Sequence, residues 1–439
     1  MNVTSAHELI DVHLLRIGMF VHLEGGWMAH PFPISNFRIA SQGQIATIAK
    51  LGVKQVRWSP RKSVLAEAAN QPDGAALPVS APPAGLTATL IGAPVSLSSR
   101  DPRSDAQRDV ARADRTAQRL CERQFAEAAR ECRQLTSLVP AQPLQAGASA
   151  LSLSRTLTHK MIGSADLCVR LLGEAAGDQA SVHAMNVAVL SLLMGRVCGL
   201  EDAEMQDIGV GALLHDIGKL DLAESVRHAD DAFTSAELRA YQDHVAQGVG
   251  QARRMALSPG ATLVIAQHHE HADGSGFPLG LNSERLSLAS RIVSLVNRYD
   301  NLCNPHLAAA AVTPHEAQAL LFAHGRATFD DAILGAFIRM LGIYPPGSTV
   351  QLTDDRYALV VAANSTRPLR PRVRVHDPRV APDDALLIDL DATPGLGIRR
   401  SLKPAQLPGK ALECLAPQAR VVYFFEPAAE PRRASECVA

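Results

Sequence analysis

Aromatic side chains are scarce in this chain, only 4% of 439 residues. Its cores must therefore be filled by aliphatic side chains, and an apolar content of 47% supplies enough of them. Charge of one sign is missing too. Lys and Arg number 43 against 44 Asp and Glu, a net charge of -1, so nothing suggests a surface for polymeric nucleic acid. Cysteine is present but unorganised. Cys121, Cys132, Cys168, Cys198, Cys303, Cys414 and Cys437 are scattered, odd in number and without a CxxC pair, which argues against a disulfide framework or a structural zinc. No apolar run reaches the roughly 18 residues of a membrane span. The N-terminus lacks the basic-then-apolar pattern of a signal peptide. The expectation is a soluble protein of a reducing cytoplasm with no membrane span.

The chain divides by composition. In residues 1–66, "GMFVHL" and "VKQVRW" read as short strands and "QIATIAKLG" as a helix closed by Gly52. This is a small N-terminal α/β domain. Residues 67–149 read as a linker rich in Pro, Ala, Gly and Ser, followed by a linking helix over 105–138. From 150 to 343 the apolar spacing is helical almost throughout. Thr234 with Glu237, and Thr313 with Pro314 and Glu316, are capping boxes that start helices, the first of them expected to carry His244. Beyond "YPPGS" the pattern turns to short alternating runs, "STVQLTD", "YALVVAAN", "PRVRVHD", "ALLIDL" and "RVVYFFE". They predict a small β domain over 344–439 with a disordered tail. The fold class expected is mainly α, a helical bundle flanked by two small domains.

Histidine is what the chain concentrates. Eight of its sixteen histidines lie between 159 and 271. A lone histidine on an amphipathic helix is most often an ordinary partly buried residue, and His159, His228, His306, His315, His324 and His376 are read that way. "HDIGKL" at 215–220 and "HHEHADGSGFP" at 268–278 are different. His215 and Asp216 close an apolar helix just before Gly218, where side chains can converge on one point. An imidazole brings a neutral nitrogen ligand, and a carboxylate can bridge two cations. Two divalent ions about 3.5–4 Å apart suit phosphoester hydrolysis. The candidate ligands are His183, His215, Asp216, His244, His268 and His269, with Asp216 as the bridge.

On these residues, 150–343 resembles the HD-GYP family, a branch of the HD phosphohydrolases whose signature is HD followed by HHExxDGxGYP. Here His215-Asp216 is followed by His268, His269, Glu270, Asp273, Gly274, Gly276, Phe277 and Pro278, with Phe277 in place of the tyrosine. Residues 1–66, through "GMFVHLEGGWMAHPFPISNFRI", resemble a domain of unassigned function that often precedes HD-GYP domains. The resemblance implies a helical bundle and hydrolysis of cyclic di-GMP, a bacterial second messenger, to the linear dinucleotide pGpG or to GMP. It implies two divalent ions, iron or manganese, and diguanylate cyclase domains as a class of partner. It implies catalytic roles for Asp216 and Lys219, Lys219 contacting a substrate phosphate. It implies a substrate loop with Asp273, Gly274 and Gly276, and Glu270 orienting a liganding histidine. Glycine there would let backbone N–H groups approach a phosphate.

Three positions depart from the family pattern. Asn297 stands where the last metal ligand is usually an aspartate, with Asp300 one turn later on the same face. Gln179 replaces the acidic residue that goes with a third metal. His306 takes the place of a phosphate-clamping arginine, a charge that Arg298 or Arg326 would have to supply. Three readings therefore stay open: a cyclic di-GMP phosphodiesterase, a degenerate relative that binds the nucleotide or a signalling partner without turnover, and a phosphohydrolase for another nucleotide.

Overall fold

The computed structural model describes residues 8–23, 36–39, 41–60, 63, 105–162, 167–173, 177–230, 232–325, 328–364, 367–380 and 385–427. They fall into two compact units. The linker stretch 68–104, the expected disordered tail after 427, and Arg326 lie outside the described residues.

The N-terminal unit is an antiparallel sheet with one helix. Strands β1 (Glu8–Asp11), β2 (Phe20–His22), β3 (Asn36–Arg38) and β4 (Gln55–Trp58) are ordered β1-β4-β2-β3. Helix α1 (Gln42–Lys50) starts at Ser41, whose hydroxyl accepts the Gln44 N–H, and ends before Gly52 at φ +72°. Val21, Ile39 and Ile48 are its buried aliphatic centre.

The second unit holds eleven α-helices among its described residues, ten of them before the C-terminal segment: α2 (Asp105–Leu138), α3 (Pro143–Ile162), α4 (Gln179–Val197), α5 (Asp202–Leu214), α6 (Ser235–Gln242), α7 (His244–Arg254), α8 (Pro259–Gln267), α9 (Leu288–Cys303), α10 (Pro314–His324) and α11 (Asp331–Leu341). To these the C-terminal segment adds the short α12 (Gly409–Leu415). Both expected capping boxes form, Thr234 with Glu237 at α6 and Thr313 with Glu316 at α10. The chain breaks at Asp243, so His244 opens α7 and does not ride on α6. Helix α4 is apolar all round and packs against α5, α9 and α2. Alone among the described helices it is long and apolar enough to cross a membrane, but most of it is buried in this bundle and it carries His183.

The expected divisions at 149/150 and 343/344 fall inside this one unit. Residue 150 lies within α3. Helix α2 is no free spacer, because Phe125, Ala128, Cys132 and Leu135 are buried in the common core. The C-terminal strands β6 (Thr349–Leu352), β7 (Tyr357–Asn364), β8 (Arg372–Val375), β9 (Leu386–Asp389), β10 (Ile398–Leu402) and β11 (Tyr423–Pro427) build an antiparallel sheet. They take in β5 (Leu167–Leu171), a strand from the helical segment, which lies between β7 and β11. A charged cluster ties it down. The buried Arg170 guanidinium meets Glu426 of β11 at 2.6 Å and Asp114 of α2 at 2.5 Å. Four aromatics pack at the same junction, where the Tyr299 and Tyr423 hydroxyls meet at 2.9 Å and Phe125 contacts Phe424 edge-on.

Candidate metal centre

Four of the five clustered histidines sit at or beside a helix end. His215 follows α5, His244 opens α7, and His268 and His269 follow α8. His183 lies one turn into α4. The approach of these ends is very close. A Cβ on Gly218 would fall 1.9 Å from the His244 carbonyl oxygen, so only glycine lets the turn after Asp216 rest on α7.

Asp216 stands at the middle. Its Oδ2 lies 3.5 Å from His215 Nε2 and 3.7 Å from His183 Nε2. Its Oδ1 lies 3.6 Å from His244 Nε2 and 3.7 Å from His268 Nε2. One carboxylate is thus divided between two sets of imidazoles, His183 and His215 on one oxygen, His244 and His268 on the other. His269 joins the second set.

The far side of each ring decides which nitrogen is free. His215, His244 and His268 direct Nδ1 at the carbonyls of Ala212, Tyr241 and Ile265, at 2.8, 2.6 and 2.8 Å. A carbonyl only accepts, so Nδ1 carries the proton and Nε2 keeps its lone pair. His183 Nδ1 donates to the Asp300 carboxylate at 2.6 Å, with the same consequence. The Nε2 atoms then face each other as acceptors, His183 to His215 at 3.1 Å and His244 to His268 at 3.3 Å. Two lone pairs at that distance repel unless a cation lies between or beside them. Asp216 Oδ1 and His269 Nε2 are also buried without a hydrogen-bond partner. Five imidazoles and a carboxylate with these unpartnered atoms fit divalent metal ions, and the thiolate-free donor set suits iron, manganese or zinc.

The protonation states agree. Burial pushes His215 down to about 3 and His244 to about 4, and drives His269 well below its ordinary value. All three imidazoles are neutral at pH 7. Burial works to raise the Asp216 carboxyl, but the Lys219 ammonium and the surrounding imidazoles outweigh it and hold the group well below the carboxylate range. Lys219 Nζ is 2.7 Å from Asp216 Oδ2. Burial alone would lower its pKa; the Asp216 charge raises it instead, and the ammonium persists. Its Nζ also lies 5.5 Å from the centre of the Tyr241 ring.

Not every expected residue joins the cluster. Asn297 is buried on α9, and its side-chain oxygen accepts the Asn301 amide at 2.7 Å. Arg298 is exposed on the side of α9 near His271. Glu270 orients no imidazole. Its two oxygens accept the Leu279 and Leu281 N–H groups at 2.7 and 2.8 Å, so it braces the loop. Asp273 is turned to its own loop, accepting the Ser275 N–H and hydroxyl. Gly274 supplies a positive φ of 79°. Gly276 serves packing more directly than phosphate approach, since a Cβ there would lie 2.4 Å from the His269 carbonyl oxygen. Phe277 keeps the ring of the missing tyrosine and stacks on His269, with centroids 4.4 Å apart.

Sequence reasoning passed over Tyr241, Asn186, Asn304 and Arg420. The fully buried Asp300 also accepts the amides of Asn186 at 2.8 Å and Asn304 at 2.9 Å. Both asparagines donate to the Val421 carbonyl, and Asn186 accepts the Tyr423 N–H. The chain end leading into β11 therefore holds the partner of His183. Arg420 donates to Gln179, one turn before His183, at 3.1 Å. Only the carboxamide of Asn186, unusual on the apolar helix α4, hints at this in the sequence.

Comparison with known proteins agrees with this architecture. The HD domain model matches residues 166–333, and a domain of unknown function, DUF3391, matches residues 8–150. Cyclic di-GMP phosphodiesterase PA4108 of Pseudomonas aeruginosa is 28% identical over 378 residues, 83% of this chain and 84% of that protein. The 3'3'-cGAMP-specific phosphodiesterase 3 of Vibrio cholerae is 30% identical over 174 residues, 39% of this chain and 37% of that protein. Among solved structures, Bd1817, a HDG"Y"P protein from Bdellovibrio bacteriovorus, aligns with a TM-score of 0.39 at 14% identity, covering 75% of this chain and 98% of that one, a likeness too loose for residue-level comparison. The chain thus carries an HD domain over residues 166–333 and a DUF3391 domain over residues 8–150, and its HD pair and HHE..DG.G.P run resemble the HD-GYP branch of HD-domain proteins.

Proposed function

We propose that the chain is a metal-dependent phosphodiesterase that hydrolyses cyclic di-GMP, to the linear dinucleotide or to GMP, in bacterial second-messenger signalling. The observation that carries this reading is the division of Asp216 between two sets of imidazoles. That arrangement fits two divalent ions, iron or manganese, held by His183, His215 and Asp216 on one side and by Asp216, His244, His268 and His269 on the other. Divalent ions held there supply Lewis acidity toward the phosphate and a water nucleophile at neutral pH. The protein's own contribution is charge and order. Asp216 stays ionised and would hold both ions. Lys219 keeps its proton and offers a buried ammonium to negative charge that develops on a non-bridging phosphate oxygen. The loop at 273–278, braced by Glu270, closes one side of the site. The reaction belongs to the cytoplasm, where such a messenger acts.

The test is metal analysis of anaerobically purified protein, paired with hydrolysis of cyclic di-GMP followed by chromatography. About two ions per chain and release of pGpG or GMP are expected. A fully loaded protein that binds cyclic di-GMP and never cleaves it would leave a receptor, one that reports the nucleotide to a partner such as a diguanylate cyclase domain. The named specificity of the Vibrio relative favours one further reading, a different cyclic dinucleotide. The same assay with 3'3'-cGAMP decides it.

A further inference from the structure

Two histidines given no role by the sequence are brought together by the fold. His228 follows a short turn, Glu224–Val226, and His306 follows α9. Their rings stack nearly parallel, with centroids 3.8 Å apart and planes 10° from each other. Both residues are exposed, so the stack is no core contact and leaves ring surface open to solvent.

The pair is tied to the metal centre from two sides. His228 feels the charges of Asp216 and Lys219 as well as Arg227. His306 adjoins Pro305, whose carbonyl accepts the Gln179 amide at 3.5 Å, and Gln179 lies one turn before His183. The stack therefore lies near the centre, within the electrostatic reach of Lys219 and Asp216. Partial burial lowers the His228 pKa, and His306, Lys219 and Arg227 add to that while Asp216 opposes it, so this ring is neutral at pH 7. A metal-binding role does not fit, because parallel rings do not converge their nitrogens on one point. Neither residue belongs to a cluster of ligand atoms among the described residues. What two flat imidazoles near a phosphate-cleaving centre do offer is a stacking face.

We propose that the His228–His306 pair is the subsite on which one base of the nucleotide substrate stacks. This rests on reading the centre as a nucleotide phosphodiesterase. Base–aromatic stacking changes affinity by roughly 5- to 150-fold per base.

The experiment uses the metal-loaded full chain and two probes that share a phosphate, GMP and ribose 5-phosphate. Calorimetry compares wild type, His228→Ala, His306→Ala, His306→Phe and His306→Arg, with metal content measured alongside. Wild type should bind GMP at least about fivefold more tightly than ribose 5-phosphate. Each alanine variant should lose that preference while its ribose 5-phosphate affinity and metal content stay unchanged, and His306→Phe should restore it. Equal binding of the two probes by wild type overturns the proposal. So does an equal loss for both probes in the alanine variants, or rescue by His306→Arg but not by His306→Phe, which would mark a phosphate contact. A wild type that prefers GMP in this way but cleaves no cyclic di-GMP supports the stacking subsite and overturns the phosphodiesterase reading.

Discussion

The two sets of imidazoles that share Asp216 are held by different means. His244 and His268 lean on the carbonyls of Tyr241 and Ile265, three residues earlier in their own segments. His183 leans on Asp300, which leans on Asn186 and Asn304, which in turn lean on the backbone of Val421 and Tyr423. One half of the centre is set by local helix ends. The other joins His215, itself set by the Ala212 carbonyl three residues earlier, to His183, whose support is assembled from segments more than a hundred residues apart in the chain. Damage to the C-terminal segment should therefore reach the His183 half first, and damage to the shared carboxylate should reach both.

The largest effect is expected where the comparison vanishes. Asp216→Ala removes the one side chain that, among the described residues, is common to both sets. Both ions should be lost, and turnover should fall on the order of 10³-fold or more, beyond the removal of one electrostatic donor. Metal analysis and initial rates measure this together. A variant that keeps a full metal complement would show that the two halves do not depend on a bridge.

Next comes a cut that should separate the halves. Asn186→Leu takes one of the two amide donors from the buried Asp300 carboxylate and cuts its link to Tyr423, leaving Asn304 as its tie to Val421. Partners of this kind typically contribute 10- to 100-fold in metal affinity. The His183 side should weaken by about that factor while the His244 side holds its ion, so titration should show one weak and one unchanged site. Equal weakening of both would mean that the two halves are mechanically one.

The same contrast explains what could be read from the sequence. Helix starts such as Thr234-x-x-Glu237 and Thr313-x-x-Glu316 depend on residues three apart, and both form as expected. The histidines at helix ends were legible for the same reason, since a short motif brings each ring to the end of its own helix. The role of Asp300 was not, because the donors that hold it come from α4 and the end of α9 and are themselves locked by the strand after 420. Strand β5 escaped as well. Five residues within a helical stretch look like part of a helix until their partners β7 and β11, far downstream, are known. Glu270 shows a subtler limit. Its place beside two candidate ligands suggested work on an imidazole, whereas its carboxylate is spent on the N–H groups of Leu279 and Leu281.

Lys219 tests whether chemistry can be removed without touching either half. Its ammonium bonds Asp216 but cannot ligate a cation. Lys219→Ala should lower kcat by about 10²-fold while both ions remain and KM changes little, the mark of a contact made mainly in the transition state. Steady-state kinetics with metal analysis checks it. A loss of metal in this variant would assign Lys219 to holding Asp216 in place.

The smallest effect should come from adding charge on α9. Asn297 is buried and accepts the Asn301 amide through its side-chain oxygen. Asn297→Asp keeps an oxygen for Asn301 and adds a negative charge one turn from Asp300. If that position faces the ions, the carboxylate is the better ligand for a hard cation, and affinity should rise by about tenfold, or about 1.4 kcal/mol. The metal-free protein should respond in the opposite sense, because an unpaired buried carboxylate is costly to desolvate. The melting temperature of the apo protein should therefore fall while that of the loaded protein rises, since a ligand that binds only the folded state stabilises it. Scanning calorimetry with and without metal reads both signs in one experiment. A fall in both states would place residue 297 outside the reach of the ions and leave Asp300, through His183, as the only carboxylate that α9 contributes to the centre.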